Sequence, residues 1–143
     1  MVELVHGGAK VDRQNGAGLT ATMVATLAGK PGSLTQLCAL GADMNIENKN
    51  SQTPLTLACR YAQATRAPYP TLITRREHIM EAIDKLVELG AAVDYETKAG
   101  HTALGVAATA GAHNTCAHLI DSGAGVDRVS ARGMSALMLA ACA

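Results

Sequence analysis

The chain has 143 residues, with 12 Lys+Arg against 12 Asp+Glu and 48% hydrophobic residues. That is the length of one ordinary domain with ample apolar matter for a core, which argues against disorder, and the balanced charge offers no net field to nucleic acid or anionic lipid. Tyr61, Tyr69 and Tyr95 are the only aromatic residues, too few for a base-stacking surface; no apolar run approaches the roughly 20 residues of a membrane span, and the opening MVELVHGG lacks the pattern of a signal peptide.

The first predicted element is the tail of a helix ending at GGAKVD (7–12). GLTATMVAT (18–26) then opens a short helix, with Thr20 placed to accept from its free N–H groups. Gly29 ends it, and LTQLCAL (34–40) predicts a second helix closing on LGADMN (40–45). The two phrases then recur. SQTPLTLAC (51–59) places Thr53 as a cap and Pro54 at the first helical position. IMEAIDKLVEL (79–89) closes on LGAAVD (89–94). GHTALGVAA (100–108), with cap Thr102 and terminator Gly111, precedes NTCAHLI (114–120) and SGAGVD (122–127). GMSALMLAA (133–141), with cap Ser135, opens a last helix.

Gly8 to Gly41 and Gly90 to Gly123 are both 33 residues, whereas Gly41 to Gly90 is 49, one period plus an insertion of 16. The second phrase keeps the same register. Helices this short do not stand alone in water, so each unit needs a stacked neighbour. Units fall at about 12–49, 50–98 and 99–131, with partial units at 1–11 and 132–143. The last leaves Leu137, Met138 and Leu139 without a following helix, which implies a fragment of a longer array or an end covered in trans.

The insertion lies at about 63–78. Pro68 and Pro70 break any helix there, while Thr74 and Glu77 form a capping box for a helix over about 75–89. The preceding helix is expected to run through Tyr61 towards Thr65. Arg66, Tyr69, Arg75 and Arg76 read either as a tolerated surface loop or as a partner-specific knob.

Cys38, Cys59, Cys116 and Cys142 contain no CxxC pair and read as free, mostly buried thiols of an intracellular, cytoplasmic protein. His113, Cys116 and His118 cluster on one helix, but a tetrahedral zinc site needs four ligands, so they read as a packed thiol beside two solvent-facing histidines, with no metal and no cofactor. No catalytic triad, phosphate loop or HExxH motif is present; the chain is expected not to be an enzyme and has no candidate catalytic residue.

TPLTLA (53–58) with LGADMN (40–45), at this period and order, resembles the ankyrin repeat over essentially the whole chain. The resemblance implies an all-α solenoid of stacked helix–turn–helix units with projecting hairpin-like loops. The family's TPLH stands here as TATM, TPLT, TALG and SALM, so its usual histidine is missing, which implies the loss of a polar tie between units. It further implies a protein-interaction scaffold or adaptor that binds a protein or peptide on its concave face; the alternative is a regulatory or targeting arm of a larger enzyme or channel.

Carried over by position, the loop tips give Lys49, Asn50, Lys98, Ala99, Ala131 and Arg132, and the residue after each motif Gly or Ser gives Leu19, Gln52, His101 and Met134. The exposed ends of the first helices give Leu27, Ala28, Arg60, Tyr61, Thr109 and Ala110. Arg60 and Tyr61 are the favoured anchors, Tyr69 extends the surface into the insertion, and Lys49, Arg60, Lys98 and Arg132 favour an acidic partner segment. Leu37, Asp43 and Asn45 resemble the site that asparaginyl hydroxylase modifies in this family, with Asn45 as target; the simpler reading is that Asn45 ties its loop by local hydrogen bonds.

Overall fold

The computed structural model describes Glu3, residues 7–62 and residues 76–142, and over these the chain is all-α. The helices are α1 (Ala21–Leu27), α2 (Pro31–Ala39), α3 (Pro54–Tyr61), α4 (Arg76–Glu88), α5 (Ala103–Thr109), α6 (His113–Asp121) and α7 (Ala136–Ala141). The expected insertion, including Arg66, Tyr69, Arg75 and the capping box on Thr74, lies largely outside the described residues, as do the side chains of Arg76 and Glu77.

Hydroxyl caps start the first helix of every pair. Thr20, Thr53, Thr102 and Ser135 accept from the N–H groups of Met23, Thr56, Gly105 and Met138 at 3.1–3.3 Å. Thr56 also accepts from Thr53 N–H at 2.8 Å, a reciprocal capping box that the spacing did not announce. Two helices start earlier than the apolar spacing predicts: α2 begins at Pro31, whose fixed φ suits the first helical position, and α6 begins at His113. The expected extension of α3 is corrected, because it ends at Tyr61 and Ala62 caps it. Gly29 and Gly111 follow the first helices, and Gly41, Gly90 and Gly123 the second, all at positive φ, where a Cβ is costly.

Packing follows the sequence period. The first helices form one row, α1 against α3, α3 against α5 and α5 against α7; α1, α3 and α5 also pack on α2, α4 and α6 respectively, and α2 lies against α4. Ala25, Ala58 and Ala107 occupy the same position in three units and are buried, as are Leu37, Leu86 and Leu119. The alanines let helix axes approach, while each leucine contributes about 1.5–3 kcal/mol by leaving water. Leu55 and Leu104 are 2% and 5% exposed, yet Leu137 at the equivalent place is 77% exposed and Met138 51%. Leu139 is partly covered: a Cβ on Gly105 would stand 2.9 Å from its Cδ1.

Four hairpins project between the helix pairs. The N–H of Asn15, Asn48, Thr97 and Ser130 donates to the C=O of Leu19, Gln52, His101 and Met134 at 2.9–3.0 Å. The side-chain oxygen of the same four residues accepts in return from the N–H of that partner, at 2.9–3.4 Å. Each hairpin needs one left-handed residue. Gly18, Gly100 and Gly133 supply it, but the second hairpin uses Ser51, at φ +54°.

Candidate interaction surface

The hairpins do not stand independently. Asp12 carboxylate oxygens accept from Asp43 N–H at 3.2 and 3.3 Å, Asn45 Oδ1 from Ala92 N–H at 2.9 Å, and Asp94 Oδ1 from Gly125 N–H at 3.0 Å. These are equivalent positions in successive units, each reaching into the next. The expectation that Asn45 acts locally is therefore corrected: the local turn is made by Asp43, whose Oδ1 accepts from Asn45 N–H at 2.8 Å.

A second ladder runs two residues further on. Gln14 Nε2 donates to Glu47 C=O at 2.7 Å. Glu47 Oε1 accepts from Lys98 N–H at 3.1 Å and from Tyr95 OH at 3.0 Å; the latter bond pushes the Tyr95 phenol above its usual range. Glu96 Oε1 accepts from Ala131 N–H at 2.5 Å. These contacts tie units together through carboxylates and amides at the hairpin bases, where the resemblance pointed only to a missing histidine.

The ladders alter the standing of the predicted binding residues. Lys49 is exposed, but its Nζ donates to Gly16 C=O at 2.7 Å, tying it to the preceding hairpin. Gln52 Oε1 accepts from Asn48 Nδ2 at 3.1 Å, and Asn50 N–H donates to Asn48 Oδ1 at 2.9 Å. These three serve hairpin structure. Leu19 and Leu27 are corrected outright: at 4% and 0% exposure they are core, Leu19 from the hairpin just before α1 and Leu27 from its last turn, both clustered with Met23 and with Leu57 of the next unit. Tyr61 is half-buried and packs against both hydrophobic clusters, so its ring supports the fold as well as any surface.

Arg60, His101 and Thr109, predicted from two different units, come together. With Val106, Ala110 and Leu139 they line a cleft of about 370 Å³. Arg132 lies beside it: its aliphatic stem passes over Gly100, where a Cβ would stand 3.4 Å from Arg132 Cγ. The described residues contain ion pairs Lys85–Glu88, His118–Asp84 and Arg128–Asp94, none of which uses Arg60, Lys98 or Arg132. Burial, then the charges of Arg132 and Arg60, hold His101 below its usual pKa. The surface therefore presents cations without an ion pair among the described residues, beside aliphatic side chains.

The histidine cluster resolves differently from its expected form. His113 is exposed, but His118 Nε2 sits 2.6 Å from Asp84 Oδ1 on α4, with both atoms shielded from water. Among the described residues no three His, Cys, Asp or Glu side chains gather as a metal site. The thiols are all free, but only Cys59 is fully buried; Cys38 and Cys116 are half-buried and Cys142 is exposed. Among the described residues no helix is long and apolar enough to cross a membrane.

No protein-family model and no curated protein matches this chain.

Proposed function

We propose that the chain is an ankyrin-repeat solenoid that acts as a protein-interaction module, binding another protein or peptide on the face made by its first helices and hairpins. The repeat phrases, their 33-residue period and the recurring capped helix pairs support the solenoid reading. The cleft carries the binding reading. Arg60, His101 and Thr109, candidates by their position in the repeat, line one concavity beside positive charge that has no ion pair among the described residues. A rigid row of helices presenting apolar and cationic groups loses little conformational freedom on binding. Cations at such a surface steer acidic partners and fix their register.

Affinity capture from a lysate tests this reading, comparing the wild-type chain with a variant carrying Arg60→Gln and Thr109→Asp. Both positions are exposed, so the variant is expected to keep its unfolding midpoint. The reading requires a saturable partner that the wild-type retains and the variant loses at least about tenfold, or about 1.4 kcal/mol. Equal retention by both proteins removes this face as the binding surface.

A further inference from the structure

The cleft of about 370 Å³ has a chemistry that narrows its occupant. Arg60 lines it from the end of α3 and His101 from the hairpin entering α5, while Val106, Ala110 and Leu139 supply the apolar lining. The Thr109 hydroxyl donates to Gly105 C=O at 2.9 Å, so its proton is already committed. The donors left to a ligand are the Arg60 guanidinium and the His101 ring. Among the described residues no carboxylate lines the cleft. The neighbouring Glu96 already holds Ala131 N–H, and Arg132, beside Gly100, adds a further positive charge.

Resting on the interaction reading above, we propose that this cleft recognises an internal partner segment carrying a glutamate or aspartate followed by an aliphatic residue, the carboxylate held by Arg60 and His101 and the aliphatic side chain set against Val106 and Leu139. Arginine presents a planar fork that matches a carboxylate in two parallel hydrogen bonds. The imidazole adds a third donor. Beside these donors the apolar wall rewards an aliphatic side chain and penalises a polar one, which finds no partner there. Burial and the Arg132 and Arg60 charges disfavour the imidazolium of His101; a bound carboxylate opposes those charges, so binding strengthens as the solution is acidified from neutral pH.

The test is an NMR titration of the whole chain with N-acetyl-glutamyl-leucinamide, run against N-acetyl-glutaminyl-leucinamide. The glutamyl probe is expected to bind at least about fivefold more tightly and to shift His101, the Arg60 side chain and the Leu139 methyls. Arg60→Gln and His101→Gln, each with an unchanged unfolding midpoint, are expected to abolish that preference. Equal response to both probes, shifts lying away from the cleft, or no response at about 20 mM probe overturns the proposal. A captured protein partner that Arg60→Gln and His101→Gln bind as well as wild-type does so too, while leaving the wider interaction reading standing.

Discussion

Asn45 Oδ1 accepts a hydrogen bond from the backbone N–H of Ala92 at 2.9 Å, across 47 residues of sequence. Asp12 and Asp94 do the same for Asp43 and Gly125, so a side-chain oxygen at this place clasps each unit to its successor. Asn45→Ala removes the clasp but frees the Ala92 N–H to water, because Ala92 is exposed. The expected loss is therefore about 1 kcal/mol. Asn45→Asp keeps the acceptor and is expected to cost less than about 0.5 kcal/mol. Urea unfolding midpoints check both; equal losses for the two variants contradict the clasp.

Gly18 and Ser51 hold the same place in successive hairpins, at φ +79° and +54°. A Cβ on Gly18 would stand 2.7 Å from the backbone nitrogen of Lys49, and backbone cannot swing aside. Gly18→Ala therefore combines left-handed strain with a clash, for an expected loss of at least about 2 kcal/mol. Ser51→Gly releases strain at a site that tolerates a side chain, for an expected gain of up to about 1 kcal/mol. Thermal unfolding of the pair is expected to move in opposite directions.

Thr22 is 1% exposed and its hydroxyl oxygen has no hydrogen-bond partner among the described residues. Leu55 and Leu104 fill this position in the following units. Valine matches threonine in shape and removes the orphaned polar group, so Thr22→Val is expected to stabilise by about 1 kcal/mol. A destabilised variant in urea unfolding indicates that the hydroxyl has a partner after all.

His101 supplies a pH dependence of defined sign. Burial, followed by the Arg132 and Arg60 charges, depresses its pKa in the folded chain, so the unfolded chain binds the proton more readily. The stabilising contribution is fully present above the ordinary histidine value of about 6.5 and is lost as pH falls through the depressed folded value. Comparing wild-type with His101→Gln by urea unfolding from about pH 7.5 to pH 5 isolates this group; the wild-type is expected to lose more stability on acidification. Arg132→Gln is expected to raise the His101 pKa in an NMR titration, and no change there contradicts the assigned cause.

Local chemistry was legible where sequence distance is short. Thr20, Thr53, Thr102 and Ser135 announce caps because a hydroxyl just before an apolar run has one obvious role, and all four fulfil it. The glycines ending the helices were legible for the same reason. The clasps were not: the recurrence of Asp12, Asn45 and Asp94 was visible, but their acceptors act on backbone N–H groups of the next unit, which only the stacking offset brings near. The Asp84–His118 contact joins α4 to α6 and escaped for that reason. Leu27 was misplaced because counting along a helix gives a position but not which neighbour the last turn meets. Arg60, His101 and Thr109 were each chosen from the repeat register, and their meeting in one cleft required the relative placement of α3, α5 and α7.

Hydrogen exchange of the chain with and without its captured partner tests the central claim most directly. Protection is expected in Leu57–Ala62, Thr97–His101 and Val106–Ala110, the segments that carry the row of first helices and their hairpins. Protection confined to α2, α4 and α6 contradicts the account, because it places the partner on the opposite row.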